Sequence, residues 1–269
     1  MHDRGPTAKK IVLDLLLAVD PEPLTARDAV SACGLFGIRE SNARVTLTRL
    51  CSEGLVESAA RGSYRLSPSA HQLATEVASW RRLETRMRPW DGRYIAIHTA
   101  DLGRSDRTAL RQRERAIAML GFRALRRDAF IRPDNIEDDL QQVRDRLVRL
   151  GLDADALVYR ASDFPTADHA RIADLWDGEA LNADYRATRT RLEAWFARYP
   201  RLGLETAARE SFLLGGEAIR KLVFDPLLPE PMVDAEARHQ LLEATLHFDQ
   251  VGQGIWRKLI RLDALPRSA

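Results

Sequence analysis

Lysine is nearly missing from this 269-residue chain. It occurs only as Lys9, Lys10, Lys221 and Lys258, so arginine supplies 37 of the 41 basic residues. Cysteine is scarcer still. Cys33 and Cys51 make neither a disulfide framework nor a metal signature, which points to a reducing compartment. No apolar run approaches the roughly 20 residues needed to span a bilayer. Lys9–Val19 places basic residues before an apolar stretch, but Asp14 interrupts it and no small-residue cleavage site follows. HExxH, GxSxG and Walker loops are absent, which removes the commonest hydrolase and nucleotide-binding chemistries. A soluble, cytoplasmic protein with no membrane partner and no cofactor is expected.

The net charge is only +2, yet it is unevenly spread. Residues 1–132 carry 23 basic against 15 acidic side chains, a balance of +8, whereas residues 133–269 carry 18 against 24, a balance of −6. A basic front joined to an acidic back predicts an anionic partner for the front. The length favours two or three domains, and 45% hydrophobic content is enough to give each a core.

Residues 1–88 form the first expected domain. Ile11, Val12, Leu15, Leu16 and Val19 recur at helical spacing until Pro21 and Pro23 stop the run. Thr25-Ala-Arg-Asp28 reads as a capping box that opens a helix through Cys33. A third helix is expected from about Arg39 to Glu53, ended by Gly54. Leu55-Val-Glu57 and Ser63-Tyr-Arg-Leu66 then make a hairpin around Arg61-Gly62. That order is the order of a winged helix-turn-helix. At 100° per residue, Ala43, Leu47, Leu50 and Gly54 share one stripe of the third helix, which is therefore the buried side. Ser41, Val45, Thr48 and Ser52 lie opposite, flanked by Asn42, Arg44 and Arg49. Hydroxyls, an amide and arginines suit base edges and phosphates in a major groove, and Val45 suits a thymine methyl. Arg61 and Arg65 on the hairpin would meet phosphates. A solvated polar helix face is the competing reading.

Residues 89–163 read as strand (Arg93–Thr99), helix (Asp106–Leu120), two short strands (Phe122–Leu125, Ala129–Ile131), helix and strand (Leu157–Ala161). This βαββαβ order is that of a ferredoxin-like domain. Arg107, Arg111, Arg113 and Arg115 are expected mostly outward on the first helix; they could bind DNA, the phosphates of a small ligand, or nothing. Asp134 is expected to N-cap the second helix, with Glu137-Asp138-Asp139 complementing its dipole rather than binding metal. Residues 164–269 read as all helical, over Asn182–Tyr199, Glu205–Phe224 and Asp234–Leu262, with a proline-rich break at Pro226, Pro229 and Pro231. Phe212, Leu213, Ile219 and Leu222 are expected to face inward, and Gly252-Gln-Gly254 to mark a kink or close packing rather than a phosphate loop. The class is thus α+β.

Taken together, the chain resembles the PaaX-type repressors of phenylacetic acid catabolism over nearly its full length. The resemblance is carried by Gly37-Ile-Arg-Glu-Ser-Asn-Ala-Arg-Val-Thr-Leu-Thr-Arg-Leu50 with Glu53-Gly-Leu55, the Arg61-Gly-Ser-Tyr64 wing and Trp90-Asp-Gly-Arg93. Gly121-Phe122, Phe130-Ile-Arg-Pro133, Leu175-Trp176 and Asp225-Pro-Leu-Leu-Pro-Glu230 complete it. Order and spacing carry the likeness more than any single motif. It implies an N-terminal DNA-binding domain, a middle domain similar to the small ferredoxin-like nucleases of CRISPR adaptation, and a helical C-terminal domain. It further implies a homodimer on double-stranded operator DNA, released by an acyl-CoA effector such as phenylacetyl-CoA. Arg44 and Arg49 are then the recognition-helix arginines, and Arg61 and Tyr64 belong to the wing. Arg107, Arg111 and Arg115 are the candidates for effector contact. A metal-dependent nuclease is the alternative, with Asp101 near the end of the first middle-domain strand, although no second carboxylate is evident from spacing. His98 on that strand reads as a packed residue, and no catalytic or metal-ligating set emerges.

Overall fold

The computed structural model describes residues 5–19, 22–71, 78–137 and 139–264. The chain is α+β and divides into two compact units. Unit 1 takes residues 1–79, 191–219 and 244–269, and unit 2 takes residues 80–190 and 220–243. Three long C-terminal helices therefore contribute residues to both.

In unit 1, α1 (Ala8–Val19) buries Ile11, Val12, Leu15 and Leu16. A two-residue strand β1 (Leu24–Thr25) leads into α2 (Ala26–Gly34). Thr25 closes the capping box as expected: its hydroxyl accepts from the Asp28 amide at 3.1 Å, and the Asp28 carboxylate accepts from the Thr25 amide at 3.3 Å. Next come α3 (Glu40–Ser52) and the antiparallel hairpin β2 (Val56–Ala60) with β3 (Ser63–Leu66). The hairpin turns at Gly62, whose φ of +77° is left-handed. Strand β1 pairs with β3 through Leu24↔Tyr64 and Thr25↔Ser63, giving a three-stranded sheet. Phe36, in the turn before α3, lies 5.2 Å from Phe212 and 6.5 Å from Trp256 between ring centroids. A second aromatic group joins Trp195, Phe196, Tyr199 and Phe248. Burial pushes the Cys33 thiol up to about 11, so it behaves as a small apolar core residue.

Unit 2 is built on a four-stranded antiparallel sheet. Its strands are β4 (Tyr94–His98), β5 (Arg123–Arg126), β6 (Ala129–Pro133) and β7 (Leu157–Ala161), in the order β5-β6-β4-β7. Two helices interrupt them, α4 (Arg107–Met119) between β4 and β5 and α5 (Leu140–Leu150) between β6 and β7. Successive strand residues point to opposite faces, so Tyr94 and Ala96 share one side of β4 and Ile95 and Ile97 the other. On the Tyr94 side a core forms with Leu125, Ile131, Ile172, Trp176, Leu228 and Val233. Ile172 comes from the short helix α6 (Thr166–Ala173), which the sequence pattern did not announce. The long helices are α7 (Gly178–Arg198), α8 (Leu204–Val223) and α9 (Ala235–Ala264).

The segment from Asp225 to Val233 lies across this core as a strap. Its seating is specific. Gly121, at φ +75°, leaves so little room that a Cβ there would sit 2.7 Å from Pro226 Cα. Trp176 Nε1 donates to the Gly121 carbonyl at 3.0 Å. Asn135 Nδ2 donates to the Leu227 carbonyl at 2.8 Å, and Arg238 donates to the Leu228 carbonyl at 2.8 Å. Asp225 accepts from the Tyr185 hydroxyl at 2.6 Å and from the Leu227 amide at 2.7 Å. Burial pushes the Asp225 carboxyl up, while the Tyr185 hydroxyl and Arg238 pull the other way. Arg132 is fully buried and donates to three acceptors, the carbonyls of Leu120 and Pro133 and, at 2.8 Å, Asn135 Oδ1.

Four expectations are corrected here. Asp134 does not cap a helix: it is buried and ion-paired with Arg88 and Arg160, and Asp139 caps α5 five residues later. Glu137 likewise holds Arg86 and Arg146 rather than facing a dipole, and Asp138 lies outside the described residues. Arg113 is inward, with only 5% exposure, bonded to Asp153 at 2.7 Å and to the Gly103 carbonyl. Leu213 is outward, and α8 instead buries Ala207, Ala208, Ser211, Gly215, Ala218 and Leu222. Gly252 packs against Ser211, whose Cβ would lie 3.5 Å from an added Cβ, within an unbroken α9.

Candidate nucleic-acid interface

Helix α3 packs on α1 and α2, and its inward stripe is Ala43, Leu47 and Leu50, each no more than 2% exposed. The Leu55 amide donates to the Leu50 carbonyl and the Ser67 hydroxyl to the Gly54 carbonyl at 2.6 Å, tying the end of α3 to the hairpin. At the hairpin's other end the Ala26 amide donates to the Gly62 carbonyl at 2.9 Å. The hairpin is thereby tied to the end of α3 on one side and, at its turn, to the start of α2.

The opposite face of α3 is open. Ser41, Asn42, Arg44, Val45, Thr48 and Arg49 are all exposed, Val45 to 67%. Val45 is the most exposed of the large apolar side chains among the described residues, so it has no packing role within the chain. On the hairpin, Arg61 and Arg65 are exposed and Tyr64 is half-buried. The structure thus brings all nine of these residues into one module.

The hydrogen bonding of this face adds what spacing alone did not announce. Arg44 Nε donates to Glu40 at 2.7 Å, Arg49 pairs with Glu53 at 3.1 Å, and Arg65 Nε donates to Glu57 at 2.6 Å. Lys9 of α1 reaches the other oxygen of Glu53 at 2.6 Å. Its hydrogen bond is the main reason that the Glu53 carboxyl lies below the ordinary range. Glu40 with Arg44 and Arg49 with Glu53 stand at i,i+4, a spacing visible in the sequence. The hydroxyls turn inward: Thr46 donates to the Asn42 carbonyl, Thr48 to that of Arg44 and Ser52 to that of Arg49.

The arginines proposed for effector contact lie in unit 2. Arg107, Arg111 and Arg115 are exposed and follow one another at i,i+4 along α4, with no ion pair among the described residues. Asp106 caps this helix, accepting from the Thr108 amide at 2.7 Å and the Ala109 amide at 3.3 Å. Asp101 is exposed in the turn beyond β4, and His98 is half-buried at the strand's end. Among the described residues no group of three or more His, Cys, Asp or Glu side chains is placed to hold a metal ion. Among the same residues no helix is long and apolar enough to cross a membrane.

Comparison with known proteins agrees with the chain's own pattern. The model of the PaaX-like protein C-terminal domain matches residues 176–258. The solved structure of the uncharacterized protein Rv0674 from Mycobacterium tuberculosis is similar at a TM-score of 0.57 and 25% identity, covering 92% of this chain and 99% of that one. No curated protein matches the sequence significantly.

Proposed function

We propose, from the premise that the chain is of the PaaX type, its residues 176–258 carrying that family's C-terminal domain, that it is a DNA-binding repressor of an acyl-CoA catabolic operon. Regulation of transcription is what the family match supports. The finer reading rests on α3. One observation carries it: a helix whose inner stripe is wholly buried presents Ser41, Asn42, Arg44, Val45, Thr48 and Arg49 outward beside a hairpin bearing Arg61, Tyr64 and Arg65. In this reading α1, α2, α3 and the β1–β3–β2 sheet (residues 1–88) are a winged helix-turn-helix, with α3 entering the major groove and the hairpin on the backbone. The strand order β5-β6-β4-β7 with α4 and α5 as crossovers supports a ferredoxin-like domain over residues 89–163. Residues 164–269 form the helical domain for effector and dimer contacts.

Two copies of α3 in a homodimer would read half-sites about one helical turn, or a small multiple of it, apart. An acyl-CoA carries several phosphate charges, and the unpaired stripe Arg107, Arg111 and Arg115 suits them. The effector would act only through its different affinity for the DNA-competent and incompetent arrangements. Phe36, held by Phe212 and Trp256 in the turn before α3, is the side chain through which a change in α8 and α9 reaches the reading helix.

Arg44→Ala is expected to weaken operator binding by about 1–3 kcal/mol while leaving random-sequence binding less affected. Fluorescence anisotropy with both duplexes checks it; an unchanged operator affinity removes Arg44 from base reading. The effector is checked by thermal shift: an acyl-CoA thioester at about 100 times its Kd should stabilise the fold by about 2.7 kcal/mol, and no shift with any thioester removes that effector class.

A further inference from the structure

The arginines of α3 and the hairpin divide into two groups. Arg44, Arg49 and Arg65 are each held by a carboxylate of Glu40, Glu53 or Glu57, whereas Arg39 at the start of α3 and Arg61 at the hairpin turn have no ion pair among the described residues. The three carboxylates serve no core. They are exposed or nearly so, at 60%, 36% and 39% of their side-chain surface. Each pair is of the solvated kind that contributes little to stability.

We propose that Glu40, Glu53 and Glu57 form a carboxylate screen that sets sequence discrimination by suppressing attachment to arbitrary DNA. The inference rests on the DNA-binding reading above. Non-specific attachment is driven by phosphate neutralisation and counterion release, so it grows with the number of cations that a surface offers. Five arginines and Lys9 would present +6; the three glutamates reduce that cluster to +3. A phosphate approaching Arg44, Arg49 or Arg65 meets an anion already at hydrogen-bond distance. In a loose, hydrated complex nothing displaces that anion. A guanine edge at the right position offers two acceptors in fixed geometry, and an arginine in a weak exposed pair exchanges its carboxylate for them. The screen therefore opposes random sequence more than it opposes the operator. Glu53 is the firmest element, because Lys9 anchors it from α1 while Arg49 binds its second oxygen.

The test is a triple variant, Glu40→Gln with Glu53→Gln and Glu57→Gln. It is compared with a charge-matched control, Glu114→Gln with Glu179→Gln and Glu205→Gln, at exposed sites on α4, α7 and α8. Both are titrated with a random-sequence duplex and with an operator that the unaltered chain selects from a random pool. The screen predicts that random-duplex affinity rises about tenfold at low salt, with a steeper dependence on salt. Operator affinity should rise much less, and the control should move neither. An equal rise on both duplexes, the same rise in the control, or no rise in a folded variant overturns the screen. Should thermal unfolding show the triple variant to be damaged, Glu40→Gln and Glu57→Gln singly carry the same test, at about two- to threefold each. An unaltered chain that selects no sequence and binds no duplex overturns the DNA-binding reading itself, which is a separate failure.

Discussion

Unit 2 of a Gly121→Ala variant is expected to be less stable than the unaltered chain by about 2–5 kcal/mol. Two effects add. Gly121 has φ +75°, a conformation that costs a residue with a Cβ about 1–2 kcal/mol. The new Cβ would also lie 2.7 Å from Pro226 Cα and 2.8 Å from its carbonyl oxygen, atoms that cannot swing aside as a side-chain tip can. Overpacking of this kind costs about 1–3 kcal/mol. Either the strap lifts or Gly121 shifts, and a shift of Gly121 loosens its carbonyl from Trp176 Nε1. Gly178→Ala tests the strap's other end, where a Cβ would collide with the Met232 carbonyl oxygen. Denaturant unfolding followed by tryptophan fluorescence measures both. A Gly121→Ala chain within about 0.5 kcal/mol of the original would show that the strap is not seated as described.

The second large effect is expected from Arg132→Met, about 3 kcal/mol of lost stability. The competing terms have opposite signs. Burial disfavours the Arg132 cation, holding its guanidinium down to about 9, and methionine removes that cost. Against this, the substitution strips the Leu120 and Pro133 carbonyls and Asn135 Oδ1 of their donor. Each buried acceptor left unpaired costs about 1–3 kcal/mol, so three of them outweigh the relief. Asn135 is the sensitive member, since its other end holds the Leu227 carbonyl of the strap. A methionine variant as stable as the original, or more so, would mean that desolvation of the cation governs the site.

Much of unit 1 was readable because local rules and tertiary packing agree there. The Thr25–Asp28 capping box, the Ala43–Leu47–Leu50 stripe and the Arg61-Gly62 turn all appear where spacing puts them. Unit 2 was readable in element order but not in its buried charges. Arg113 sits in a helix otherwise lined with outward arginines, and its partner Asp153 is 40 residues distant. Asp134 and Asp139 both stand before a helix, so cap signals alone do not choose between them. The choice is made by Arg88 and Arg160, which converge on Asp134 from other elements. The strap was legible as a proline-rich break, yet its contact with Gly121 joins segments more than 100 residues apart, and no local pattern encodes such a pairing. On α3 the glutamates stand at readable spacing from their arginines, but i,i+4 spacing is that of any solvated helix pair and does not mark them out.

The inward-turned hydroxyls of α3 have a consequence for its chemical character. Thr46, Thr48 and Ser52 commit their protons to carbonyls of their own helix, so what they turn outward is lone pairs. Hydrogen-bond donors on that face come from Ser41, Asn42 and the arginines alone, while Thr48 and Ser52 present acceptors. The surface is thus two-toned, donating toward its first turn and its guanidinium groups and accepting along the hydroxyl row. On the proposed DNA-binding reading, that division would distinguish an exocyclic amino group from a ring nitrogen or a carbonyl oxygen.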